Sequence, residues 1–131
     1  MTALELLKKN ADELAGITGL LIDVIQDDSR LVTLLHDYSL PSGVSAVERT
    51  DVLFITDFQY PLSAMDMFWT DVAVVRLDGS IFENSDSIEE YVGRKWRRFS
   101  YHRNGIWNPA GNPLIDHFAF METRWTRKAL R

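Results

Sequence analysis

The densest group of residues that could do chemistry lies in the segment WRRFSYHRNGIW, residues 96–107. Ser100, His102, Arg103 and Asn104 fall within five positions of one another there. A histidine can act as a base near neutral pH, and a serine hydroxyl becomes a usable nucleophile with such a base beside it. Arg103 and Asn104 could stabilise a developing oxyanion. On a strand, Ser100 and His102 share one face, so the spacing predicts them as a catalytic pair.

A structural role for the same residues is the alternative, in which His102 anchors a loop through hydrogen bonds. The other histidines favour structural roles, with His117 as a partly buried packing residue and His36 at a strand end. Three scattered histidines without a ligand-spaced carboxylate motif predict no metal site.

Tryptophans border this segment and are the candidate binding residues. They are Trp69, Trp96 and Trp107. Their pattern equally fits packing in the core and loops, where a buried indole N–H needs a hydrogen-bond partner.

The first half of the chain reads as a helix followed by strands. Thr2 with Glu5 has the pattern of a capping box, which predicts a helix that ends at Gly16 to Gly19. Apolar runs separated by turn residues then predict four strands, the first two forming a hairpin. The predicted strands span residues 20–25, 31–35, 51–56 and 72–77.

The second half predicts helices around a polar loop. Ser85 or Asp86 can cap a helix that runs to Phe99, although Gly93 weakens that prediction. A loop over residues 100–111 follows, and a final helix begins at Asn112-Pro113. Strands followed by helices indicate an α+β fold: an N-terminal helix, a four-stranded antiparallel meander, and C-terminal helices on one face of the sheet.

Composition bounds the function. The 131 residues are 46% hydrophobic, which predicts one globular domain over residues 1–131. The absence of cysteine excludes a thiolate nucleophile and disulfides, and fits a cytoplasmic protein. Nothing predicts a secretory signal or a membrane span. Residues 1–92 carry a net charge of −12 and residues 93–131 carry +7. This asymmetry suits an acidic partner or a nucleic acid, but no nucleic-acid motif accompanies it. The alternative is that the two halves pack together and partly neutralise each other.

Two segments together resemble a known family. They are Tyr60-Pro61 with Asp66-Met67-Phe68-Trp69, and Trp96, Ser100, His102-Arg103-Asn104, Trp107 and Pro109. The chain resembles prokaryotic family E of the ubiquitin-conjugating-enzyme superfamily from about residue 15 to residue 128. This resemblance implies the ubiquitin-conjugating fold and no cofactor. It also implies a bacterial pathway with a ubiquitin-like protein, a ThiF-like adenylating enzyme and a JAB-type isopeptidase as partners.

The chain departs from the superfamily at the nucleophile. Ordinary conjugating enzymes carry the modifier on a cysteine soon after the fourth strand, where this chain has GSIFENSDS, Gly79 to Ser87. A thioester is therefore excluded. One hypothesis is a transferase that forms an oxyester on Ser100 with His102 as its base, with Ser80 as the second candidate nucleophile.

Two alternatives do not need a covalent step. The first is a non-catalytic scaffold that binds the modifier or the adenylating enzyme. The second is a pocket for a small acidic ligand held by Arg97, Arg98 and Arg103.

Overall fold

The computed structural model describes residues 1–103 and 105–129, and in these residues the chain begins and ends with a helix and forms one antiparallel sheet between them. The elements are α1 (Ala3–Thr18), β1 (Leu21–Asp27), β2 (Arg30–Ser39), β3 (Arg49–Asp57), β4 (Phe68–Thr70), β5 (Ser87–Tyr91), β6 (Arg94–Phe99) and α2 (Pro113–Ala129). The six strands lie in the order β1-β2-β3-β4-β6-β5. The α+β class is therefore confirmed, whereas the predicted sheet of four strands is too small. None of the described helices is both long and apolar enough to cross a membrane.

The first helix forms as predicted. The Thr2 side chain accepts a hydrogen bond from the Glu5 N–H, and the Glu5 side chain accepts one from the Thr2 N–H, so the capping box is complete. Gly19 ends the helix with φ 76°, a left-handed conformation that glycine adopts without strain. Leu7 and Leu14, two turns apart, are buried on the sheet side.

Strands β1 to β3 form the predicted meander. β1 and β2 pair as an antiparallel hairpin from Leu21↔His36 to Asp27↔Arg30, and β3 pairs along β2. Apolar residues alternate between two clusters, so that Leu35 of β2 faces the helices while Leu34 faces the opposite side. Both faces of the sheet centre therefore carry apolar contacts.

The predicted fourth strand is wrong. Residues 72–77 form no strand, only turns and an isolated bridge between Arg76 and Ser45, and the fourth strand is β4, which pairs with β3 and β6 through Phe68, Trp69 and Thr70. All three β4 residues are buried, whereas Leu77 is 64% exposed. An apolar run indicates a strand but does not show which of two neighbouring runs finds a partner.

The predicted helix from residue 85 or 86 to residue 99 is also wrong, because this segment is the β5–β6 hairpin. Val92 and Gly93 have φ angles of 45° and 78°, and two consecutive left-handed residues make the tight turn that joins twisted antiparallel strands. Trp96 and Phe99 are buried in clusters on opposite faces of the sheet. Gly93, which weakened the helix prediction, is the residue that makes the hairpin possible.

The helices cover one face of the sheet. The final helix begins at Pro113 as predicted, and the Asn112 carboxamide oxygen accepts hydrogen bonds from the N–H groups of Leu114 and Ile115. Leu114 and Trp125 join the main core with residues of α1 and of strands β2, β3, β4 and β6. The loops on either side of β4 and the loop before α2 are thereby fixed to one framework.

Candidate functional site

Two loops that are far apart in the sequence are joined at two points, and we call this place the loop junction. The Asp66 carboxylate bonds to the His102 ring and to the backbone N–H of Arg103. The Trp107 indole N–H donates to the Pro61 carbonyl over 2.7 Å. The loop junction comprises Pro61, Asp66, His102, Arg103 and Trp107.

His102 is oriented by Asp66. One carboxylate oxygen of Asp66 bonds to His102 Nδ1, and the other accepts the Arg103 N–H over 3.0 Å. The His102 side chain is 71% exposed. When the carboxylate accepts a hydrogen bond from Nδ1–H of a neutral imidazole, Nε2 is left as an acceptor on the exposed side chain. The pair can therefore receive a proton or a hydrogen bond from a molecule that docks here.

Ser100 lies near His102 in sequence but has other partners. Its hydroxyl oxygen accepts a 2.8 Å hydrogen bond from Arg98 Nε, and its N–H donates to the Asn84 carbonyl over 3.0 Å. Among residues 1–103 and 105–129, no hydrogen bond joins Ser100 to His102. The predicted nucleophile and base are thus not paired in this structure.

The remaining residues of the predicted catalytic set divide in two. Asn104 lies outside the described residues. The Arg103 guanidinium carbon lies 5.0 Å from the centroid of the Trp107 ring, and the group is placed over that ring. The Arg103 backbone is therefore held by Asp66 while its side chain stacks on an aromatic ring at the loop junction.

Of the three candidate binding tryptophans, Trp107 alone belongs to the loop junction. Trp69 and Trp96 pack in the apolar cluster on the sheet face that the helices leave uncovered. Their indole N–H groups donate to Glu89 over 2.8 Å and to the Tyr91 carbonyl over 3.0 Å, respectively. A buried indole N–H usually has such a hydrogen-bond acceptor, so both contacts fit a packing role for Trp69 and Trp96.

The segment of residues 79–87 offers serines that are already engaged. The exposed Ser80 hydroxyl donates to the Asp78 carboxylate over 2.6 Å, and the Ser80 hydrogen bonds lower the pKa of Asp78. A carboxylate with a lowered pKa is a weaker base. Ser85 is fully buried and donates to the Phe82 carbonyl. Phe82 is buried against Phe99 and Trp125.

The three arginines of the acidic-ligand hypothesis do not converge. Arg97 is buried and donates to the carbonyls of Val72 and Ser85 over 3.1 and 2.6 Å, and burial lowers its pKa. Arg98 pairs with Glu89 over 2.8 Å. Arg103 stacks on Trp107 at the loop junction, so each of the three guanidinium groups lies in a different part of the structure.

The other histidines are structural in their contacts. His36 pairs with Asp23 over 2.7 Å on the sheet surface. His117 is fully buried, deeper than predicted, and burial lowers its pKa to about 4. Its Nε2 lies 2.9 Å from the Met67 carbonyl and donates to it. In the part of the chain that the structure describes, no three His, Asp or Glu side chains converge as a metal site requires.

Sequence reasoning missed Asp66 as a partner of His102. Asp66 stands in the DMFW motif, but the two residues are 36 positions apart, and only the path of the loops brings them together. The sequence signal that could have identified this pair is a carboxylate in one of the two segments that carry the family resemblance and a histidine in the other.

The family model for prokaryotic E2 family E matches residues 7–128 of the chain. Searches of curated proteins and of solved structures give no match.

Proposed function

This chain belongs to prokaryotic E2 family E, and on that premise we propose that it positions a ubiquitin-like protein for transfer without carrying it covalently. Membership supports a ubiquitin-conjugating-like role in a bacterial pathway. A ThiF-like adenylating enzyme that activates the modifier and a JAB-type isopeptidase that removes it are the pathway partners of this proposal.

The observation that carries the proposal is the loop junction. The two segments on which the family resemblance rests are the two that Asp66 and Trp107 tie together. Their polar groups are used to fix loop geometry, while the His102 side chain is left 71% exposed. A surface whose shape is fixed in advance binds a partner with a smaller loss of conformational entropy.

The absence of a paired nucleophile favours positioning over covalent transfer. The chain has no cysteine, and a serine needs an adjacent base to attack a carbonyl efficiently. The Ser100 oxygen accepts from Arg98, and the Ser80 hydroxyl bonds to a weakly basic carboxylate. Among the residues that the structure describes, neither hydroxyl is hydrogen-bonded to a base able to take its proton near neutral pH.

Apolar side chains beside the loop junction suit a protein partner. Ile106 is 94% exposed and Leu62 is 75% exposed, next to Trp107 and Pro61 respectively. Exposed aliphatic groups around a partly buried aromatic residue form the apolar centre of many protein interfaces. His102 adds a hydrogen-bonding group at the same surface.

Binding by the loop junction is tested with Ile106→Glu and a matched control, Ile88→Glu, which changes an exposed isoleucine on β5. The probe is the ubiquitin-like protein of the same genome, titrated by calorimetry. We expect a dissociation constant in the micromolar range, weakened at least about tenfold by Ile106→Glu and unchanged by Ile88→Glu. Equal affinities for the two variants would refute the assignment of this surface.

An oxyester on Ser100 is the second candidate function. One contact favours it, since the Arg98 guanidinium 2.8 Å from Ser100 Oγ could stabilise negative charge on that oxygen. In this reaction Ser100 Oγ attacks the acyl-adenylate carbonyl, the ester bond forms, AMP leaves, and the hydroxyl proton passes to solvent.

Incubation with a ThiF-like enzyme, the modifier and ATP separates the two candidates. Positioning predicts no adduct that hydroxylamine cleaves. An adduct present in the native chain and lost in Ser100→Ala would replace positioning by covalent transfer. An adduct that persists in Ser100→Ala would exclude Ser100 as the acceptor.

A further inference from the structure

Two guanidinium groups lie near the ring of Phe120, on α2. The guanidinium carbon of Arg124 lies 4.8 Å from its centroid and that of Arg103 lies 5.8 Å away. Arg103 also lies over Trp107, and Arg124 lies over Tyr101 at 5.4 Å. Two positive charges are thus held close together on aromatic surfaces beside the loop junction.

Both arginines keep buried N–H groups without a partner. Arg103 Nη1 and Arg124 Nε are buried and have no hydrogen-bond partner among the described residues. An unsatisfied buried donor destabilises the folded state, so two beside one ring need an explanation. A guanidinium that stacks on a ring uses its flat face, and its N–H groups still point outwards in the plane.

Within residues 1–103 and 105–129, neither guanidinium forms a salt bridge with a carboxylate. Asp66, at the same junction, has one oxygen on His102 and the other on the Arg103 N–H. Glu122, on α2, accepts from the Tyr38 hydroxyl. Two like charges close together repel each other, and an anion bound between them offsets this repulsion.

His117 adds no charge to this place. Its ring stacks on Phe120 with centroids 5.5 Å apart, and burial lowers its pKa to about 4, so the imidazole is neutral near pH 7. Its Nε2–H donates to the Met67 carbonyl, which leaves Nδ1 as an acceptor. The donors available to an anion are therefore those of the two arginines.

We propose that Arg103 and Arg124, stacked on Phe120, bind one oxyanion group, the C-terminal carboxylate that the ubiquitin-like protein carries before its activation. Guanidinium edges match the two oxygens of a carboxylate, and the partly buried aromatic side chains of Trp107 and Phe120 suit the peptide chain that leads to it. The identity of the carboxylate rests on the proposed function, whereas the oxyanion site rests on the arginines alone.

The test follows the Arg Nε–Hε resonances of the isotopically labelled protein by NMR. The probes are a peptide of the last six residues of the ubiquitin-like protein as free acid, the same peptide as C-terminal amide, and inorganic phosphate. We expect the free acid to shift the Arg103 and Arg124 resonances saturably and to bind at least about tenfold more tightly than the amide. The Arg98 resonance, from a group paired with Glu89, stays in place.

Substitutions provide the second measurement. Arg103→Gln and Arg124→Gln should each weaken the free acid at least about tenfold, and Arg124→Lys should restore only part of the loss because lysine lacks the planar fork. Arg49→Gln, which changes an exposed arginine paired with Asp37 on the sheet, is the matched control and leaves the affinity unchanged. Equal binding of acid and amide, or equal losses in Arg49→Gln and Arg124→Gln, would overturn the carboxylate assignment. Tighter binding of phosphate than of the free acid would overturn it as well.

Failure of this inference can be told apart from failure of the proposed function. If the intact modifier binds the native chain and both glutamine variants equally, the carboxylate site is wrong and positioning stands. If the intact modifier does not bind but the free acid and phosphate still shift both resonances, positioning is wrong and the oxyanion site stands. Resonances that do not move with any probe would remove the site altogether.

Discussion

The segment of residues 79–87 and the loop junction use their polar side chains in opposite ways. In the first, the Ser85 hydroxyl is buried and Phe82 is packed between rings of the main core. In the second, Asp66 holds His102 by one nitrogen and leaves most of the ring exposed. The segment that the family resemblance matches to the cysteine-bearing region of ordinary conjugating enzymes is thus a packing element in this chain. The proposed function assigns the contact with a partner to the loop junction instead.

Phe82→Ala should have the largest effect, because it tests whether residues 79–87 are a packing element. Phe82 is 2% exposed, and its ring centroid lies 5.9 Å from that of Phe99 and 5.8 Å from that of Trp125. Removing a buried phenyl ring costs about 3–5 kcal/mol of the free energy of unfolding. Urea denaturation measures the loss. Ile81→Ala, at a neighbouring half-exposed side chain, should cost less than about 1 kcal/mol, and equal losses would contradict the packing role.

The second prediction concerns the pH dependence of the free energy of unfolding. It rests on His117, which donates a hydrogen bond to the carbonyl of Met67, the residue after Asp66 of the loop junction. Burial lowers the pKa of His117 from 6.5 to about 4. Between these values the unfolded chain binds a proton that the folded chain does not, so the free energy of unfolding falls as the pH falls. The full stabilisation is present above pH ~6.5, and roughly 3 kcal/mol is lost by pH ~4.

Denaturation from pH 7 to pH 4 measures this dependence, with His117→Gln as the control because glutamine can still donate to the Met67 carbonyl. The difference in stability between the two proteins should shrink as the pH falls. Parallel curves over this range would show that His117 does not contribute to the acid sensitivity.

The third prediction tests the orientation of His102. Asp66→Asn keeps the shape of the side chain but replaces one acceptor oxygen by an NH₂ donor, which no longer fixes the Nδ1–H tautomer. We expect a loss of about 1 kcal/mol in the free energy of unfolding and a several-fold weaker affinity for the ubiquitin-like protein. The ¹⁵N shifts of the His102 ring measure the tautomer directly.

The matched control is Asp23→Asn, which changes the other aspartate–histidine pair, on the sheet surface away from the loops. This variant should leave both the His102 tautomer and the affinity as they are in the native chain. If it weakens the affinity as much as Asp66→Asn, the loop junction has no special role.

The sequence predicts those elements whose signals are local. The capping box of Thr2 and Glu5, the glycine that ends α1, and the proline that begins α2 each act within one helical turn. The sequence predicts a helix in place of the β5–β6 hairpin because Trp96 and Phe99 have a spacing that also fits a helix. They are buried on opposite faces instead, and this burial depends on β4, which is the strand that pairs with β6.

The candidate site could be predicted only in part, for a related reason. His102 is conspicuous in its segment, whereas Asp66 acquires its role from a loop that lies 36 residues earlier. In the sequence Arg124 is one of several cations near the C-terminus, with nothing local to distinguish it, and its stacking on Phe120 depends on the direction of α2. Contacts between distant loops follow from the packing of the whole sheet, which no local pattern encodes.

Ser80→Ala should have the smallest effect, and it tests the chemistry of residues 79–87 in the way that Phe82→Ala tests their packing. Ser80 lies in an exposed turn, and its hydroxyl donates to Asp78 over 2.6 Å. Loss of this bond should raise the pKa of Asp78 towards its ordinary value, since the Ser80 hydrogen bonds are what lower it. NMR titration of the Asp78 carboxyl carbon follows that change, while the unfolding midpoint and the affinity for the ubiquitin-like protein should not move. If instead Ser80→Ala removed a covalent adduct with the modifier, this segment would carry chemistry after all, and the loop junction would serve it as a docking surface.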